Sequence, residues 1–155
     1  MEKPRLTVFI AGGAGRLGSA VVVALLGEGH RVIVYDNLTV GTRESVQAGA
    51  KFIFGDIRDP HLIPLVFKME KVDLVIHLAN LGEIGAVATD AFSVYDVNVL
   101  GTLNLLRAAV RQNIRKFIVI SGETVTSESP FGSSQMACQE ILQVARECHD
   151  ISIAT

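Results

Sequence analysis

Short runs of β-branched and other apolar residues alternate with longer stretches of helical periodicity from one end of the chain to the other. Leu6–Ala11, Arg31–Asp36, Lys51–Phe54, Asp73–Leu78, Lys116–Ser121 and Ile151–Ala154 have strand length and are mostly apolar. Such runs suit strands covered on both faces, as in a parallel sheet. Between them the pattern predicts helices over Arg16–Glu28, Thr42–Ala48, Pro60–Met69, Asp90–Gln112 and Pro130–Cys148. Gly27 and Gly29 bracket the end of the first helix, and Ser129-Pro130 supplies an N-cap and first position for the last. Strict βα alternation implies crossover connections and a doubly wound α/β sheet of about six parallel strands. No repeat, low-complexity tract or linker interrupts the pattern, so residues 1–155 read as one domain.

The stretch Asp90–Gln112 is apolar on more than one side: Val94, Val97, Leu100, Leu103, Leu105, Leu106, Ala108, Ala109 and Val110. A helix on the outside of a sheet needs a single buried stripe. The second stripe serves either a broad sheet-facing surface or a partner subunit. In the latter case the 90–112 and 130–148 helices, the last with Ala137, Ile141, Val144 and Cys148 at helical spacing, would form a homodimer interface.

Composition narrows the class. With 49% hydrophobic and 19% charged residues and a net charge of −2, the chain is not disordered. Nothing in its charge calls for nucleic acid or an anionic membrane as partner. No apolar run reaches transmembrane length, and Met1–Arg5 leads into a strand-like run without a signal-peptide pattern, so a cytoplasmic location is expected. Cys138 and Cys148, ten apart in one helical pattern, read as small apolar side chains rather than a disulfide, and no metal-ligand spacing occurs.

Ala11-Gly12-Gly13-Ala14-Gly15-Arg16-Leu17-Gly18 falls where the first strand ends and the first helix begins. Glycines there permit a tight turn, approach of backbone to a pyrophosphate and close helix–strand packing, while the helix N-terminus faces the phosphates. Asp36 closes the second strand eighteen residues after Gly18. A carboxylate at that place accepts hydrogen bonds from ribose hydroxyls and repels a 2′-phosphate, which favours NAD over NADP. Arg16 is placed to pair with phosphate, either a 2′-phosphate or the pyrophosphate. The expected fold is thus of Rossmann type.

GGAGRLGS (Gly12–Ser19), YDNLTVG (Tyr35–Gly41), GDIRD (Gly55–Asp59), VIHLAN (Val75–Asn80) and NVLGTLNLL (Asn98–Leu106) occur in that order. Together they resemble the extended short-chain dehydrogenase/reductase family, the NAD-dependent sugar-nucleotide epimerases and dehydratases, over essentially the whole chain. The resemblance implies a cofactor set of Gly12, Gly15, Arg16, Leu17, Gly18, Asp36, Asn37, Asp56, Ile57, Leu78, Ala79 and Asn98. In it Asp56 and Ile57 flank the adenine, Leu78 and Ala79 line the cofactor, and Asn98 braces the helix backbone. Asp56 has the alternative role of capping the third helix, and His77 reads as a core histidine satisfied by backbone.

The family's chemistry uses a tyrosine, a lysine four residues later and a serine or threonine after the fifth strand, a tuned acid–base group beside a hydride acceptor. By the resemblance these positions hold Phe131, Gln135 and Gly122, none able to fill its role. Phe131 follows Gly122 by nine positions, so the intervening substrate loop is almost absent. The chain ends at Thr155, where a substrate lobe would follow. A family lysine after the fourth strand aligns with Gly82. Glu123, Thr124, Ser133 and Ser134 read as loop and helix-start residues. Three readings stand: an NAD-binding domain without turnover, a working epimerase or oxidoreductase using other residues or a partner-supplied substrate site, and a structural domain that binds no nucleotide.

Overall fold

The computed structural model describes residues 4–82, 90–120 and 128–155. Six strands, β1 (Thr7–Ala11), β2 (Arg31–Asp36), β3 (Lys51–Phe54), β4 (Leu74–His77), β5 (Lys116–Val119) and β6 (Ser152–Ala154), form one parallel sheet in the order β3-β2-β1-β4-β5-β6. The expected doubly wound architecture is the observed one. Among the described residues five α-helices connect the strands: α1 (Arg16–Gly27), α2 (Leu62–Glu70), α3 (Ala91–Tyr95), α4 (Gly101–Arg111) and α5 (Pro130–Cys148).

Alternation along each strand sorts the core into two layers. Phe9, Ala11, Ile33, Tyr35, Val75 and Phe117 point to one face, where Ile63 and Phe67 of α2, Leu105 and Ala109 of α4 and Leu142 of α5 meet them. Val8, Ile10, Val32, Val34 and Ile76 point to the other face, against Val22 of α1 and Val46. A one-residue slip would exchange the two sets, so burial on both sides fixes the register. At the strand starts, the buried Glu70 carboxylate receives the Arg31 guanidinium and, at 2.6 Å, the Lys51 ammonium, tying the end of α2 to β2 and β3.

Two expected helices take a different form. Thr42–Ala48 shortens to one 3₁₀ turn, Arg43–Ser45, because Val46 turns extended to bury its side chain and Gly49 follows in the left-handed region at φ +100°. Asp90–Gln112 becomes α3, a π-helical turn at Asp96–Leu100, and α4. The Pro60–Met69 helix starts two residues later, at Leu62. The caps at both ends agree with the sequence: Ser129 Oγ accepts the Gly132 N–H at 3.0 Å, and Gly29, at φ +82°, follows α1. Among the described residues no helix is long and apolar enough to cross a membrane, and no cluster of three His, Cys, Asp or Glu is placed to hold a metal.

Candidate functional site

The strand order reverses between β1 and β4, and the crevice outside the carboxyl ends of strands at such a reversal is where open α/β sheets bind ligands. A cleft of about 440 Å³ lies there. Gly12, Gly15, Arg16, Leu17, Gly18, Asp36, Asn37, Asp56, Ile57, Leu78 and Ala79 all line it. Of the expected set only Asn98 stands behind the wall, buried.

At the floor, the glycines have different reasons to be glycine. A Cβ on Gly12, which sits at φ +81°, would lie 2.6 Å from Ala79 N, and one on Gly18 would fall on the Gly12 carbonyl. Those two are demanded by the turn and by helix–strand packing. Among the described residues a Cβ on Gly15 would meet only the Gly12 carbonyl, at 3.4 Å, and Gly15 has an ordinary extended backbone. The described fold therefore leaves room for a Cβ at Gly15. Gly15 is also the N-cap of α1, with no side-chain cap bond, and no acidic residue occupies the first turn. The first-turn N–H groups, which have no intrahelical partners, are left to whatever enters the cleft, an arrangement suited to phosphate.

Beside this floor the Asp36 carboxylate is nearly buried. Its Oδ2 accepts the Ala14 N–H at 2.9 Å and its Oδ1 accepts the Leu38 N–H at 2.8 Å, the second bond holding Leu38 at φ +59°. Each oxygen keeps a further lone pair for a hydroxyl donor. The carboxylate thus shapes the loop over the cleft and offers acceptors to a ribose.

The β3–α2 turn forms one end of the cleft. Asp56 is not a helix cap, since α2 starts after His61 without a side-chain cap. Its carboxylate is held by Arg58 and by Asn37 Nδ2, the latter at 2.9 Å, and the Arg58 hydrogen bonds bring it down to about 2 against the opposing effect of burial. Tyr35, whose hydroxyl donates to the Asp56 carbonyl at 3.0 Å, has its pKa raised first by burial and then by the Asp59 and Asp56 charges. From α4, Asn104 Nδ2 donates to the Ile57 and Arg58 carbonyls at 3.0 and 3.1 Å, and a Cβ on Gly101 would strike the Ile57 side chain.

At the other end, Asn98 ties three elements together. Its side chain exchanges hydrogen bonds with the Leu81 N–H (2.7 Å) and carbonyl (3.0 Å) after β4, and donates to Ser134 Oγ of α5 at 2.9 Å. It therefore braces the cofactor-side loop and not the helix backbone. Its own carbonyl, within the π-helical turn, accepts the Thr102 hydroxyl at 2.5 Å and the Cys138 thiol at 3.1 Å. Thr102 has one proton and spends it there, so the 2.9 Å contact with His77 is donated by His77 Nε2. His77 is thus satisfied by a threonine instead of backbone, and its unprotonated Nδ1 has no partner among the described residues. Burial brings this imidazole down to about 4, which keeps it neutral.

Phe131 occupies the first turn of α5, half-buried, and Gln135 is buried one turn on, facing a small cavity of about 20 Å³ shared with His77, Asn98, Thr102 and Cys138. Ser134 is committed to Asn98 and to the Phe131 carbonyl, at 2.7 Å. Gly122, Glu123 and Thr124 lie outside the described residues. Sequence reasoning missed Arg58, Gly101, Thr102 and Asn104 as parts of the site. The last two had a signal: buried polar residues in a helix otherwise apolar on its inner face need partners.

Residues 8–154 match the NAD dependent epimerase/dehydratase family, and the chain belongs to it. The UDP-glucose 4-epimerase of Lacticaseibacillus casei is 33% identical over 155 residues, covering 90% of this chain and 47% of that protein. Among solved structures, the Thermus thermophilus UDP-glucose 4-epimerase in complex with NAD superposes with a TM-score of 0.84 at 28% identity, over 96% of this chain and 53% of that one. The Thermotoga maritima UDP-glucose 4-epimerase with UDP-glucose gives 0.87 at 26% identity, over 96% and 53%. The chain spans about half the length of the curated relatives it matches.

Proposed function

We propose that this chain binds NAD(H) in the cleft at the strand-order reversal, in preference to NADP(H), and carries no turnover by the tyrosine–lysine chemistry of its family. The observation that carries the reading is Gly15, a glycine the fold does not require, at the uncapped and acid-free start of α1 opposite Asp36. A dinucleotide explains that glycine, because only a ligand's pyrophosphate needs the space. Gly12, Gly15, Leu17 and Gly18 would take the phosphates, Asp36 and Asn37 the ribose, and Leu78 and Ala79 the length of the cofactor along β4. The chemistry such a cofactor supplies is hydride transfer. Proton transfer must come from the protein, and Phe131 has no ionisable proton while Gln135 has no charge to tune one.

The same helices that build the site support a second proposal, a homodimer. Leu103, Leu106 and Val110 of α4 face Ala137, Ile141 and Val144 of α5 across an open groove of about 580 Å³. Association of two such grooves would cover the second apolar stripe.

Calorimetric titration with NAD and NADP tests the first reading, followed by assay of UDP-glucose and UDP-galactose interconversion at high protein concentration. The expected result is NAD binding at least about tenfold tighter than NADP binding, the scale of one repelled charge, with no sugar turnover. Equal affinities would remove the role given to Asp36, and measurable interconversion would remove the claim about Phe131 and Gln135.

A further inference from the structure

The π-helical turn at Asp96–Leu100 shifts the helix ladder by one residue, the Gly101 N–H reaching back to the Asp96 carbonyl. Within it the Asn98 carbonyl collects side-chain donors from two helices. The Thr102 hydroxyl of α4 reaches it at 2.5 Å and the Cys138 thiol of α5 at 3.1 Å, with 3.7 Å between that oxygen and that sulfur. All three residues are buried. Burial also pushes the thiol pKa up, so Cys138 keeps the proton that it donates. A cysteine that the sequence reads as a small apolar side chain is here a donor tying α5 to the turn.

The side chain of Asn98 holds Leu81 as a neighbouring strand would. It accepts the Leu81 N–H at 2.7 Å and donates to the Leu81 carbonyl at 3.0 Å. Its second amide proton goes to Ser134 Oγ at 2.9 Å, and that hydroxyl spends its own on the Phe131 carbonyl. An amide turned over would set N–H against N–H at Leu81, so the side chain has one orientation. Leu81 lines the cleft beyond Leu78, Ala79 and Asn80, whereas Thr102 and Cys138 do not line it. The two donors therefore act on the cleft wall only through Asn98. With its carbonyl fixed at one end and Leu81 gripped at the other, a shift of the turn is a shift of that wall.

In the dinucleotide reading above, Asp36 takes the adenosine ribose and the glycine turn the pyrophosphate, which leaves the Leu81 end to the nicotinamide half. Resting on that reading, we infer that Thr102 and Cys138 are positioning residues for the nicotinamide half of the cofactor, setting the place of Leu81 in the cleft wall through the Asn98 carbonyl.

Titration of NAD and of ADP, which carries the adenosine and the pyrophosphate but no nicotinamide half, separates positioning from packing. Thr102→Val and Cys138→Val each remove one donor at similar volume, and Thr102→Ser and Cys138→Ser keep a hydroxyl. Thr102→Val is expected to weaken NAD by about tenfold and Cys138→Val by about threefold, the thiol being the weaker donor. ADP should stay within about twofold in both, and the serine variants should bind NAD within about twofold of the unaltered chain. Thr102→Val also strands the His77 Nε2–H, which lowers stability; an unchanged ADP affinity shows that the site has folded. Cys138→Val leaves that bond in place and decides the matter if Thr102→Val does not fold. Equal loss of NAD and ADP would reduce the two residues to packing, and unchanged NAD affinity in both valine variants would show that Leu81 does not depend on the carbonyl. Either result overturns the inference, as would serine variants no better than their valine counterparts. Failure of the unaltered chain to bind NAD would overturn the cofactor reading itself, and this inference with it.

Discussion

A glycine motif is usually read as a unit, yet its members answer to different forces. Gly12 and Gly18 are held by the protein's own backbone, so a side chain there must break the turn. Gly15 is not. Gly15→Val is expected to change the unfolding free energy by no more than about 1 kcal/mol, the range of a surface substitution plus the loss of a tolerated N-cap. It should nevertheless abolish NAD binding. Calorimetric titration beside thermal unfolding separates the two effects, and wild-type affinity in that variant would show that no backbone–pyrophosphate approach occurs. Asp36 mixes the two kinds of demand, because its carboxylate accepts from Ala14 N and Leu38 N as well as facing the cleft. Asp36→Asn turns one acceptor into a donor against a backbone N–H. A stability loss of about 1–3 kcal/mol should accompany the change in selectivity. The ratio of NAD to NADP affinity, which cancels that loss, should shift toward NADP; an unchanged ratio would mean that the Asp36 charge does not discriminate. The spacing of glycines and carboxylate was legible in the sequence because it follows from chain geometry. The commitments of Asn98 and Asn104, and that of Asp56 to Asn37, were not, since these partners lie elsewhere in the chain, between 17 and 47 residues away.

At the scale of elements, the alternation of apolar runs with helical periods located every strand, because both faces of a parallel sheet are buried and the pattern has no competing solution. It failed where local periodicity and burial disagree. Thr42–Ala48 has helical composition, but Val46 reaches the core beneath β2 only by leaving the helix after one 3₁₀ turn. Asp90–Gln112 is continuous in its apolar stripes, and the π-helical turn inside it is set by side chains the stripes do not register: Asn98, Thr102 and, from α5, Cys138. Thr102, in the first turn of α4, also bonds His77 of β4, so the histidine reports on the packing of α4 against the sheet. Buried and neutral, His77 has its folded pKa moved from the ordinary 6.5 down to about 4. The unfolded chain therefore binds a proton, and the folded chain does not, between these two values. The corresponding stabilisation, on the order of 3 kcal/mol, is complete above pH 6.5, declines as pH falls below it and is gone below about pH 4. Chemical denaturation across pH 4 to 7 should show this slope. It should be reduced in His77→Gln, which keeps a donor toward Thr102 and cannot titrate; an identical slope in the variant would assign the acid sensitivity to other groups.

For the whole molecule, the open question is what covers the groove between α4 and α5. The sheet side of α4 is filled by Leu105, Ala108 and Ala109, which are buried, while Leu103, Val110, Ile141 and Val144 remain partly or largely open. A monomer would keep an apolar furrow between α4 and the part of α5 from Ala137 onward, and such surfaces commonly mark association sites. The rim suits a second copy of the same chain: Arg107 and Arg111 lie on the α4 side and Glu140 on the α5 side, so a two-fold axis along the groove would set each basic edge against the partner's acidic one. In an isologous contact every residue acts twice, which makes single substitutions decisive. Val144 is 57% exposed, so a charge there costs the monomer little, whereas in a four-helix interface Val144→Arg would bury two further cations against the partner's basic edge. Sedimentation equilibrium is expected to show a dimer at micromolar concentration for the unaltered chain. Val144→Arg should weaken it by roughly a hundredfold or more, about the cost of two desolvated and unpaired charges, with the unfolding transition of the monomer unchanged. Dimers that survive Val144→Arg at the same strength would place the interface elsewhere on the molecule, and a monomer across the micromolar range in the unaltered chain would leave the second stripe of α4 to some other partner.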